Sequence, residues 1–148
     1  MKYHTENELE HFGFAEAYIA QVRAASELFW MVLDNVKILP ENSCNRDIRK
    51  MRTNQLLFKI QQARILSLVE EGYNVYDADG KLLRREPDRP VEPEAYAQEF
   101  QNLEGCAVYS IEHSEGVYVI SIDTEDHTYM MRVAGSGDTQ EWDLFLQL

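Results

Sequence analysis

The densest apolar segment of the chain, Ala24 to Leu39, limits what can form around it. It reads Ala-Ala-Ser-Glu-Leu-Phe-Trp-Met-Val-Leu-Asp-Asn-Val-Lys-Ile-Leu, and its neighbours must cover it on more than one side. Its longest unbroken apolar run, Leu28 to Leu33, is far shorter than the roughly 20 residues a membrane-spanning helix needs. The segment therefore reads as a core element. A chain of 148 residues suits a single domain over 1–148, and 45% hydrophobic with 27% charged residues is the balance of a folded protein.

Local signals around this segment predict helix. Thr5-Glu6-Asn7-Glu8 fits a capping box, and acids at Glu6, Glu8 and Glu10 suit a helix N-terminus. Phe12, Ala15, Ile19, Val22, Ser26, Phe29, Leu33 and Val36 follow in steps of three and four, a heptad-like stripe. Pro40 closes that helix, and Asn42, Ser43 and Asn45 offer caps for a second one ending at Gly72. Residues 1–72 thus read as an antiparallel helical hairpin.

Residues 73–148 read as the β-rich part. Asp79-Gly80 between Tyr73–Asp77 and Lys81–Arg85 signals a β-hairpin. Pro93 opens a short third helix over about 93–104, with Tyr96, Phe100 and Leu103 on its buried face. Alternation then predicts strands over Cys106–His113, Val117–Asp123, His127–Val133 and Trp142–Leu148, with Gly135 to Asp138 a flexible connection. One register aligns the apolar set: Ile111 with Ile120, Tyr109 with Ile122, His113 with Tyr118, then Ile122 with Tyr129, Ile120 with Met131 and Tyr118 with Val133. The predicted class is α+β, a helical hairpin packed on an antiparallel sheet.

Charge is uneven. The net value is −12. Residues 46–64 hold Arg46, Arg49, Lys50, Arg52, Lys59 and Arg64 against Asp47, whereas in residues 86–148 Arg89 and Arg132 are the only strong bases. Such a surface disfavours nucleic acid and anionic membranes and attracts basic partners. The basic stretch lacks aromatic interleaving and reads as a match for acids of the chain itself or of a second subunit.

Catalytic signals are weak. His4 and His11 lack ligand-spaced partners, and His113 reads as a structural histidine against Tyr118. His127 beside Glu125-Asp126 reads as a polar turn rather than a metal or acid–base site. Gly135-Ser136-Gly137 precedes a strand, not the helix a phosphate loop requires. Cys44 and Cys106 lack metal-ligand spacing and read as reduced thiols, although sequence leaves a disulfide open. The start of the chain has no apolar leader, which points to the cytoplasm.

The reading is a small acidic cytoplasmic protein-binding domain, non-catalytic, that neutralises or scaffolds a basic partner protein. No cofactor and no metal is expected. Two candidate binding surfaces stand out: Trp30 and Met31, and a set of Tyr109, His113, Tyr118 and Tyr129. That set would line a pocket between sheet and helices if the chain were instead a ligand sensor or enzyme. A third possibility is a purely structural homo-oligomer. A homodimer is expected, because an unbroken helix from Glu6 to Lys37 would be roughly 48 Å long in a domain about 38 Å across.

Overall fold

The computed structural model describes residues 1–148 and replaces the expected helical hairpin with strands. Strands hold 54% of the residues, and one short α-helix stands among them. The α+β expectation is therefore wrong: this is a mainly β protein. The N-terminal half forms β1 (Tyr3–Glu6), β2 (Phe12–Gly13), β3 (Tyr18–Ala25), β4 (Leu28–Asp34), β5 (Val36–Ile38), β6 (Met51–Thr53), β7 (Leu56–Gln61) and β8 (Arg64–Glu70). Then come a hairpin, β9 (Tyr73–Tyr76) and β10 (Leu82–Glu86), and a short β11 (Arg89–Pro90). The helix α1 (Tyr96–Leu103) precedes β12 (Ala107–Ser114), β13 (Val117–Asp123), β14 (Thr128–Ala134) and β15 (Gly137–Trp142).

The physical reason lies in the two faces of a strand. In β4, Phe29, Met31 and Leu33 are fully buried, while Leu28, Trp30 and Val32 lie half-buried on the other face. A strand packed on both faces reads as a continuous apolar run, which periodicity alone cannot tell from a buried helix. The helix-like step from Ile19 to Val22 is a β-bulge: the β3–β4 register shifts between Ile19 and Gln21, which brings Ile19 and Val22 both inside. Ser26, placed on the expected helical stripe, is instead a turn residue at φ 56°. The supposed second helix likewise alternates, with Leu56, Phe58 and Ile60 fully buried. The long helix that motivated the homodimer does not exist.

Ten strands form one antiparallel sheet in the order β1-β15-β7-β4-β3-β12-β13-β14-β8-β11. This sheet closes on itself. Only Gln62 and Ala63 separate β7 from β8, and only Gly135 and Ser136 separate β14 from β15. Gly137 pairs with Gln61 on one side of the bend and Ala134 with Arg64 on the other. The Ser136 N–H donates to the Gln61 carbonyl across it at 2.9 Å. A bent strand over 56–70 and a bent strand over 128–142 thus join the two ends of the sheet into a barrel.

Phe29, Met31, Phe58, Ile60, Tyr118 and Trp142 fill the interior with no exposed surface. The helix α1 packs against β3, with Phe100 edge-on to Phe29 at 6.4 Å between ring centroids. No helix is long and apolar enough to cross a membrane.

Several local expectations match the structure. The Asp79-Gly80 hairpin forms, with Leu82 opposite Tyr76 and Gly80 at φ 82°. The third helix forms as a 3-10 turn over Pro93–Ala95 running into α1, which buries Phe100 and Leu103. His113 pairs with Tyr118, Ile111 with Ile120, Ile120 with Met131, Ile122 with Tyr129 and Tyr118 with Val133.

Two strand details differ. A bulge between Val108 and Ser110 puts Val108 opposite Ile122 and leaves Tyr109 64% exposed. The last strand begins at Gly137 rather than Trp142, and Leu144 and Leu148 are exposed. The supposed flexible connection is the barrel's corner. A Cβ on Gly135 would overlap the Ile60 side chain and come within 3.1 Å of the Gln61 carbonyl oxygen. Gly135→Val is expected to cost about 1–3 kcal/mol through overpacking. Urea unfolding beside the neighbouring Ser136→Ala measures it, and equal midpoints would contradict the corner assignment.

Candidate functional site

Strand alternation places an unexpected polar set in the core. Trp142 is fully buried, so Gln140 and Asp138, two and four residues earlier, share its inward face. Asp138 is 3% exposed and Gln140 not at all. Their partners come from β1, β13 and the loop after β1. The Tyr118 hydroxyl donates to Asp138 Oδ2 at 2.6 Å, and the Gln140 side-chain amide donates to Oδ1. The Thr5 hydroxyl donates to Gln140 Oε1 at 2.6 Å. Asn7, at φ 54°, closes the end of this chain. Its Oδ1 accepts the Asp138 N–H at 3.0 Å, and its own N–H donates to the Asp138 carbonyl at 2.9 Å.

Every side-chain donor to the Asp138 carboxylate is neutral. No arginine or lysine pairs with Asp138; the four arginines that form ion pairs take other acids: Arg23 with Glu104, Arg49 with Asp47, Arg84 with Glu86, and Arg89 with Glu70 and Glu99. A carboxylate held in a core without a cation is costly, and hydrogen bonds from neutral groups offset only part of that cost. Asp138 also borders a surface cleft of about 520 Å³ whose walls include Asn7, Glu10, Glu112, His113 and Ser136. Glu10, Glu112 and His113 are exposed at its rim. The His113 ring lies flat on the Tyr118 ring, with centroids 4.1 Å apart. The cleft is therefore an acidic recess lined by a nearly buried aspartate and an imidazole.

A second polar cluster fastens α1 and β11 to the barrel. Arg89 donates to Glu70 at 3.1 Å and to Glu99 at 2.6 Å, and the Tyr129 hydroxyl lies 2.7 Å from Glu70 and 2.6 Å from Glu99. One phenol proton serves one carboxylate at a time. The Arg89 hydrogen bonds hold the Glu70 carboxyl below its ordinary range despite partial burial. This cluster is a clasp rather than an open site, since Tyr129 and Glu99 are both buried.

Of the residues singled out from sequence, the structure brings together only His113 and Tyr118. Trp30 lies half-buried on the outer face between Arg23 and Lys59 of the flanking strands, and Met31 points into the core. Tyr109 faces solvent, and Tyr129 belongs to the clasp. The pocket expected between sheet and helices is not formed by these side chains. The His127 ring stands beside the Tyr73 ring at 5.6 Å, and the His127 backbone N–H donates to the Thr124 hydroxyl. No group of three or more His, Cys, Asp or Glu side chains is placed to hold a metal ion. Sequence reasoning missed Asp138, Gln140, Thr5 and Asn7. The available signal was the Asp138, Gln140, Trp142 alternation, hidden by reading Gly135 to Asp138 as a linker.

Comparison with models of known families, with curated proteins and with solved structures finds no match.

Burial, then the hydrogen bond to Asp138, raises the Tyr118 phenol above its ordinary value; burial, then Glu99 and Glu70, does the same for Tyr129. A raised folded-state value makes this contribution constant below the unfolded value of about 10 and erodes it as pH climbs further. Stability should therefore fall above about pH 10, with two slow phenols in the phenolate absorbance of the native protein. Tyr118→Phe should remove part of that alkaline loss and cost about 1–3 kcal/mol at neutral pH by leaving Asp138 one donor short. Denaturant titrations at neutral and alkaline pH check both.

Proposed function

We propose that this chain is a non-catalytic binding module, working in the cytoplasm, that accepts a basic side chain of a partner protein in the cleft above Asp138. The carrying observation is the Asp138 carboxylate, 3% exposed and without a cation of its own chain, at a cleft edged by Glu10 and Glu112. A lysine or arginine reaching in would supply the missing positive charge. An arginine would also match a carboxylate with two parallel hydrogen bonds. His113, backed by the buried Tyr118 ring, gives the recess one flat ring, and guanidinium planes stack well on such rings. The net charge of −12 favours encounter with a basic protein and speeds association at low salt.

A fluorescent peptide of alternating arginine and glycine tests this by anisotropy with the full chain. Binding is expected, weakened about tenfold or more by Asp138→Asn and by Glu112→Gln, with the matching glutamate–glycine peptide silent. Glu112 is exposed, so its variant does not threaten the fold. Thermal melts of both variants separate lost binding from lost structure. Equal binding by the wild type and both folded variants would overturn the reading.

A further inference from the structure

At the far end of β13 and β14 from Asp138, the barrel extends into an arm. β8 runs on into β9 through Glu71 and Gly72, and β10 runs back into β11 through Pro87 and Asp88. β8 is paired on both sides, with β14 and with β11. β9 pairs with β10 alone. Its other edge lies in line with β14, which starts only at Thr128. The last backbone bond on that side runs from the Glu71 N–H to the Thr128 carbonyl, 2.8 Å. Beyond it the main-chain groups of residues 73–76 that are not bonded to β10 face outward without a strand to pair with.

Native sheets guard such edges with charged side chains, proline or a covering loop. β10 carries Arg84, Arg85 and Glu86, whereas Tyr73-Asn74-Val75-Tyr76 carries no charge and no proline. Tyr73 and Tyr76 are 41% and 56% exposed. Where this edge begins, the β13–β14 turn sets Asp123, Glu125 and Asp126 beside Glu71 around a cleft of about 390 Å³ that Tyr73 and His127 also line. None of these four acids pairs with a lysine or arginine of the chain.

A second copy of β9 is a poor occupant. Two-fold antiparallel pairing would bring Asp77 of one copy to the acidic turn of the other, where like charges repel. A strand with a basic end meets the opposite field. We infer that the free edge of β9 takes up an extended segment of a partner protein as an added strand, with a lysine or arginine of that segment set against Glu71, Asp123, Glu125 and Asp126. Main-chain hydrogen bonds supply the attachment in this mode, and side chains at its end supply selectivity. The site is separate from the Asp138 cleft, and exchange protection at 73–76 reads it apart from that cleft.

The test uses the full chain and a labelled peptide of alternating valine and threonine ending in two arginines. Amide hydrogen exchange reads the edge, and anisotropy reads affinity. The peptide is expected to slow exchange at the outward-facing amides of 73–76. Glu125→Gln combined with Asp126→Asn should weaken binding about tenfold, as should replacing the terminal arginines by glutamates. Both altered residues are exposed on a turn, so the fold is not at risk. Asp138→Asn should leave the exchange protection at 73–76 unchanged, even where it removes arginine binding at the other cleft. No binding up to roughly 1 mM, binding without protection of β9, or equal binding of both peptides would overturn the inference. So would β9 protection that rises with protein concentration in the absence of peptide, which would assign the edge to a second copy.

Discussion

The structure depends on the pairing of two bent strands, residues 56–70 with residues 128–142. Without that pairing the sheet would be open, with β7 and β14 on separate edges and the faces of β4 and β13 exposed. With it, inward side chains from both ends of the sheet meet in one core, where Phe58 packs edge-on to Tyr118 at 6.3 Å. Burying a large apolar side chain of this kind stabilises a fold by about 1.5–3 kcal/mol. The bend is permitted by Gly135, where any side chain would overlap Ile60. Closure also joins strands far apart in sequence, β1 with β15 above all. Loop-closure entropy then opposes the decisive pairing until most of the chain is in place, which favours slow folding.

Closure also explains the polar thread through the core. Once β15 is fixed by Trp142, alternation forces Asp138 and Gln140 inward, and the barrel must satisfy them. Tyr118 does so from β13 and Thr5 from β1. These hydrogen bonds tie the N-terminal strand to the barrel wall, so the network fixes register as well as charge. The Arg89 clasp does comparable work for α1, linking it to β8 and β14 through Glu70, Glu99 and Tyr129.

How much of this was legible in the sequence follows from how local each signal is. The β12–β13–β14 meander was readable because its turns are short and its apolar set survives only one register. The Asp79-Gly80 hairpin and the Pro93 helix start were readable for the same reason, since turn chemistry is local. The N-terminal half misled because β4 is apolar on both faces and because the β3 bulge between Ile19 and Gln21 imitates a helical step. Its β3–β4 turn uses Ser26 rather than Gly or Asn, so that turn carries no strong signal in the sequence. Asp138 was missed for a tertiary reason. Only the pairing of Gly137 with Gln61 shows that a glycine-rich stretch is a corner. His113 against Tyr118 was correctly anticipated, but the carboxylate that gives the pair chemical interest was not.

Charge works locally rather than as a total. The basic residues of 46–64 are expected to pair with acids of the chain or of a second subunit; within the chain, the ion pair that this stretch forms is Arg49 with Asp47, two residues apart. Arg52 instead donates to the Gln147 carbonyl at 3.2 Å, fastening the C-terminal segment. The chain therefore keeps separate patches: bases before and along β6, acids around the Asp138 cleft, and acids at the β13–β14 turn. Exposed charges farther apart than about 8 Å are largely screened at physiological salt. An approaching partner is steered by the net −12 only at long range and low salt. In contact it meets one patch at a time. A partner engaging either acidic region must place its bases locally and keep them away from Arg46, Lys50 and Arg52, so the charge pattern constrains orientation more than affinity.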